Sequence, residues 1–81
     1  MEIDMTVRWI DVWWNFEVEI WTIQRKSKEG YQVGDASYNG RKRDAIADAR
    51  SLAKQEGNPD IEICVENRTY PHAYQKIKVT E

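Results

Sequence analysis

The side chains able to do covalent or metal chemistry are few. Cys64 is the only cysteine and His72 the only histidine, so soft ligands cannot assemble a zinc set. Cys64 stands between Glu62 and Glu66 in an alternating run, where neighbouring anions disfavour the thiolate that a nucleophile requires. The carboxylates are scattered, and Gly30, Gly34 and Gly40 lie too far apart to form a phosphate-cradling loop. Tyr70-Pro71-His72 reads as a turn. The expectation is a chain that is not an enzyme, with no catalytic residue, cofactor or metal, whose chemistry is recognition.

Three groups of residues carry that expectation. Arg41, Lys42 and Arg43 stand where a helix begins, and the helix dipole makes each cation there unfavourable by about a few tenths of a kcal/mol. A charge choice that folding does not reward suggests a use in binding a phosphate backbone or an acidic protein surface. The competing reading is a solvated loop with Arg41 and Lys42 paired to Asp44. Arg25, Lys26 and Lys28 form a second basic group at a hairpin tip, and a helix of about 15 residues would bring Lys54 back towards it. The third group is tryptophan, at four in 81 residues. Strand alternation prevents Trp9, Trp13, Trp14 and Trp21 from sharing one face. The expectation places Trp9 and Trp13 in the core, where small Ala45 and Ala49 leave room. Trp14 and Trp21 then stand on an open face beside Glu17 and Glu19, as a partner surface or a homodimer seam.

These groups need a scaffold, and the length allows one domain spanning 1–81. A chain of this size buries only roughly 60–65% of its unfolded surface, so its core is thin. A lone thiol suits a reducing compartment, and acidic Met1-Glu2-Ile3-Asp4 does not read as a signal peptide. No apolar run is long enough to cross a bilayer. The expected location is the cytoplasm, the host's if the chain is phage-encoded, with no membrane partner. The net charge of −2 conceals a partition: one cation against five anions over 1–24, eight against four over 25–54, and three against five over 55–81. An acidic total argues against a dedicated nucleic-acid binder, while the basic middle keeps a local patch in play.

The clearest element is a helix over about 42–56. Ala45, Ile46, Ala49, Leu52 and Ala53 form one apolar stripe, and Gly57 with Pro59 supplies the stop. Val7 to Trp14 reads as a strand, and Phe16, Val18 and Ile20 alternate with Glu17 and Glu19 as a second. A two-residue turn at Trp14-Asn15 would set Trp13 opposite Phe16 and Trp9 opposite Ile20. Ser27 to Gly30 is a turn, and Tyr31 to Tyr38 is a strand of roughly 26 Å that sets the two basic groups at opposite ends. Ile61, Ile63 and Val65 alternate with polar neighbours as the next strand. Tyr74 to Thr80 forms a lysine-bearing edge strand with Ile77 and Val79 on one side. The fold class is α+β: a four- to five-stranded, mostly antiparallel sheet in the order β-β-β-α-β-β, with the helix on one face.

From Val18 to Val65 the chain resembles a family of small bacterial domains of unknown function. The likeness rests on Gly30-Tyr31-Gln32-Val33, the helix signature Ala45-Ile46, Ala49-Arg50 and Leu52-Ala53, and the closing Ile61-Glu62-Ile63. It departs at Glu66-Asn67-Arg68, where that family has an Asp-Gly turn. The resemblance implies the fold and no activity. In size and acidity the chain is similar to small phage inhibitors of host defence, anti-CRISPR proteins among them. The expected function is a non-catalytic protein that blocks or recruits a protein partner through Trp14, Trp21, Glu17, Glu19, Arg41, Lys42 and Arg43. One alternative is a nucleic-acid-binding module using Arg25, Lys26, Lys28, Arg41, Lys42, Arg43 and Lys54, with Tyr31 and Tyr38. The other is a homodimeric structural module.

Overall fold

A computed structural model describes residues 3–67 and 73–79. The expected turn at Tyr70-Pro71-His72 lies outside them. The chain runs β1 (Val7–Asn15), β2 (Ile20–Ser27), β3 (Ser37–Asn39), α1 (Lys42–Glu56), β4 (Glu62–Glu66) and β5 (Tyr74–Ile77). The five strands form one sheet in the spatial order β3-β2-β1-β4-β5. Every pairing is antiparallel except β1 with β4, because α1 carries the chain back across the sheet and β4 enters alongside β1 in the same direction. The α+β fold, the element order and the helix bounds agree with the sequence reading.

The helix seats itself through its smallest residues. Ala45, Ala49 and Ala53 are fully buried at a spacing of four, with Ile46 and Leu52 half-buried on either flank. Methyl side chains let the helix axis approach the sheet, and Ile10, Val12, Ile23, Ile63 and Val65 fill the space beneath. The end is as expected: Gly57 adopts the left-handed conformation at φ 71°, and its N–H donates to the Lys54 carbonyl at 3.1 Å. At the start, extended Arg41 occupies the cap position without any side-chain cap.

Three expectations about the strands are corrected. The first concerns the β1–β2 turn, which spans Phe16 to Glu19 rather than Trp14-Asn15. The Asn15 side chain accepts the Glu17 N–H at 3.0 Å and starts it, and Glu19 takes φ 52° to close it. Phe16 and Val18, which alternate like a half-buried strand, are 61% and 65% exposed. Trp13 therefore lies opposite Thr22, and Trp9 opposite Lys26.

The second correction exchanges the tryptophans. Trp14 and Trp21 face each other across β1 and β2 and are buried under the helix at 7% and 3% exposure. Their ring centres lie 5.5 Å apart at 60°, an edge-to-face contact. Trp9 and Trp13 alternate with Ile10, Val12 and Trp14, so they occupy the opposite, uncovered face and are half-buried there. The register irregularity between Val7 and Trp9 keeps Val7 in the core despite its odd spacing from Ile10.

The third correction shortens the strand expected over Tyr31 to Tyr38 to Ser37–Asn39, preceded by a single bridge between Lys26 and Gln32. Gly34 interrupts it at φ 72°, with the Arg25 guanidinium packed where any side chain at that position would project. The Val33 N–H donates to the Arg25 carbonyl at 2.8 Å, so the segment hugs β2 without forming a continuous ladder.

Because Trp21 is structural, Trp21→Ala should lower unfolding free energy by about 3–5 kcal/mol, most of what a domain this size possesses. Urea denaturation followed by circular dichroism measures it. A loss under about 1 kcal/mol would contradict the buried ring pair.

Candidate functional site

The topology gathers one set of expected site residues and divides another between faces. Trp14 and Trp21 form the last-but-one rung before the β1–β2 turn, and Trp21 also pairs with Asn39 at the end of β3. The β1–β2 turn and the connection from β3 into α1 therefore share one end of the molecule. Glu17, Glu19, Arg41, Lys42 and Arg43 are all exposed there. Lys42 folds back so that its ammonium lies 5.7 Å from the centre of the Trp21 ring, a cation–π approach. Among the described residues no ion pair joins Arg41 or Lys42 to Asp44. Trp14 and Trp21 support this end from beneath and present no surface of their own.

Phe16 and Val18 complete this end, and the sequence reading placed neither in a site. They alternate with Glu17 and Glu19 along the turn, all four exposed, and Ile20 leads back into the sheet. The outcome is two exposed apolar side chains interleaved with two carboxylates, next to three exposed cations. Asn15, a residue that favours turns through its side chain, was the available signal that the alternation stops there.

The other basic residues gather at the opposite end, with Lys54 brought back towards the hairpin as expected, but they do not share one face. Lys28 lies beyond the end of β2 and Lys54 near the end of α1, both exposed, at the end opposite Arg41. Arg25 turns to the helix face, where its guanidinium meets Glu56 at 3.6 Å. Lys26 is on the other face, opposite Trp9. Tyr31 and Tyr38 are exposed at 50% and 60% but sit on the two sides of the Gly34 break.

The uncovered face of the sheet is tiled by its own long side chains. The Trp13 indole donates to Gln24 at 3.2 Å, Gln24 donates to Gln32 at 3.5 Å, and Gln32 donates to the Gly34 carbonyl at 3.0 Å. On the β4 side the Glu66 carboxylate accepts the Trp14 N–H at 3.2 Å and the Tyr74 hydroxyl at 3.4 Å. Between these lie Asp11 and Cys64, directly paired across β1 and β4. Burial pushes the Asp11 carboxyl above its usual range, opposed by a hydrogen-bonding contact from Trp9 and by Lys26. Burial also raises the Cys64 thiol, with Asp11 and Glu62 adding to it. The Tyr74 hydroxyl rises through burial and then through Glu66 and Asp11. All three groups are biased towards their neutral forms, which suits hydrogen bonding more than nucleophilic attack. Among the described residues no group of His, Cys, Asp and Glu is placed to hold a metal ion, and no helix is long and apolar enough to cross a membrane.

The fold and its exposed end thus define a small mixed-sheet α+β domain with a charged and apolar tip. No protein family, curated protein or solved structure matches the chain.

Asp11 gives a pH test of the uncovered face. A carboxyl raised by burial lends stability that is present below its unfolded pKa and is lost as pH rises through the folded value. Asp11→Asn keeps an acceptor for Trp9 and removes that loss. The variant should melt higher than the parent at about pH 7, and the gap should close by about pH 3. Thermal unfolding across that range measures it. An equal or growing gap at low pH would contradict the assignment.

Proposed function

We propose that the chain is a non-catalytic binding module that docks on a protein partner through the end formed by Phe16 to Glu19 and Arg41 to Arg43. The observation that carries this reading is the exposure of Phe16 and Val18, at 61% and 65%, on a turn held in place by the Asn15 side chain. A folded chain gains nothing from leaving its only phenylalanine in water. Both side chains protrude where they could enter a concave surface, and a partner pocket would recover the burial. Glu17 and Glu19 favour a pocket with a basic rim, and the Arg41 to Arg43 cations favour acidic neighbours beside it. Together the two signs fix an orientation, which is what electrostatic complementarity contributes most. Stacked bases suit this tip poorly, because the two carboxylates would repel the phosphates. A phage-type inhibitor of host defence, such as an anti-CRISPR protein, would use such a surface to occlude a functional site on its target.

The test is tagged capture from a bacterial lysate, with and without nuclease, using the parent and a double variant carrying Phe16→Ser and Val18→Ser. The expected result is one stoichiometric protein that survives nuclease and is lost with the variant. The variant should keep the parent's melting temperature, because both side chains are already exposed. Capture that persists in the variant would overturn the docking surface. Capture that vanishes with nuclease and weakens steeply with salt would replace it with the nucleic-acid reading.

A further inference from the structure

The helix leaves one strand of its face uncovered. It packs on β1, β2, β3 and β4 and makes no comparable approach to β5. Leu52 and Asp48 lean towards β3, where the Asn39 amide donates to Asp48 at 2.9 Å. On the other flank Arg43, Ile46, Ala47 and Arg50, spaced as one helical stripe, face Gln75 and Ile77 of β5 across a depression of about 370 Å³. Its lining combines apolar Ile46, Ala47 and Ile77 with Gln75 and, on the helix side, Arg43 and Arg50. Arg50 is steadied there by donating to the Lys78 carbonyl at 3.3 Å. Among the described residues neither Arg43 nor Arg50 has an ion-pair partner.

β5 is also an edge of the sheet, so among the described residues no strand lies beside its outer backbone groups. A groove between a helix and a free strand edge is the geometry in which an extended peptide adds as a further strand. Its backbone pairs with the edge, and alternate side chains enter the groove. We propose that β5 accepts an acidic, extended segment of a protein partner as a sixth strand, with its carboxylates towards Arg43 and Arg50 and its small apolar residues over Ile46 and Ile77.

Charge selects the occupant. Besides the two arginines, the strand carries exposed Lys76, followed by exposed Lys78. Lys76 reaches inward across β4 to Glu62 at 3.3 Å. Two such cationic edges repel each other, so the lysines disfavour pairing between copies of this chain. The same cations attract a strand bearing glutamate or aspartate. A nucleic acid would match the charge, but it lacks the backbone N–H and C=O groups that the edge requires and gains nothing from the apolar part of the lining.

The test is an NMR titration of the isotopically labelled chain with a blocked peptide of repeating Glu-Thr-Val-Thr, in which glutamate and valine follow one another along a single strand face. Shifts should concentrate on the Tyr74 to Ile77 amides and on the Arg43 and Arg50 side-chain N–H groups, with cross-strand contacts between peptide and β5. A combined Arg43→Glu and Arg50→Glu variant should weaken binding by about tenfold or more. A peptide N-methylated at alternate residues keeps its charge and side chains but cannot complete a ladder, and it should not bind the parent chain. Equal binding of the N-methylated peptide would overturn the proposal, as would an absence of shifts on β5 at millimolar peptide. A thymidine oligonucleotide that displaces the peptide from those same amides would overturn it in favour of a simple polyanion site.

Discussion

The close seat of α1 on the sheet is the constraint on which the rest of the structure depends. Only alanine occupies the buried seam, at Ala45, Ala49 and Ala53, so the bulk between the layers comes from the strands. That division of volume explains why Ile10, Val12, Ile23, Ile63 and Val65 point to the helix, and why two of the four indole rings, Trp14 and Trp21, can join them in the core. A larger residue at Ala49, which is fully buried, would overpack the seam and push the helix away from the sheet. In a domain this small there is little spare burial to offset the loss.

A close helix is also a narrow cover. It spans the middle of a five-stranded sheet and cannot reach both edges, and the tether from Asn39 to Asp48 fixes it towards β3. The β5 side is left with a depression in place of a packed layer. Among the described residues no second layer covers the opposite face, which compensates differently. Its tryptophans lie against polar neighbours, and the hydrogen bonds through Gln24 and Gln32 satisfy groups that would otherwise be half-desolvated. Raised proton affinity at Asp11, Cys64 and Tyr74 records the same partial burial from the electrostatic side.

The helix, its stop and the alternation of β4 were legible because each depends on local rules: a period near four, a left-handed glycine and a period of two. The tryptophan faces were not. Which face of a strand turns inward is a matter of parity, and parity is set by where the preceding turn falls. A turn placed at Trp14-Asn15 instead of Phe16 to Glu19 inverted the expected burial of Trp9, Trp13, Trp14 and Trp21 together. The error had a physical source. Phe16-Glu17-Val18-Glu19 alternates apolar with polar residues as a strand does, yet none of the four is buried. Sequence pattern reports amphipathicity, and here the chain uses that pattern in a turn. The division of the basic residues between faces was equally hidden, since only the register assigns Arg25 to one face and Lys26 to the other.

Several local rules are broken together at the end that carries the β1–β2 turn. Glu19 holds a positive φ of 52°, a conformation that costs an L-residue about 1 kcal/mol and that glycine would adopt freely. Phe16 and Val18 are left in water. Arg41, Lys42 and Arg43 set three cations at a helix start that has no side-chain cap. Each choice is mildly unfavourable to folding, and each has an obvious remedy within the amino-acid alphabet. The docking contact proposed for that end would account for all three, because exposed apolar area and unneutralised charge become favourable together against a partner, with the Trp14–Trp21 pair bracing the end from below.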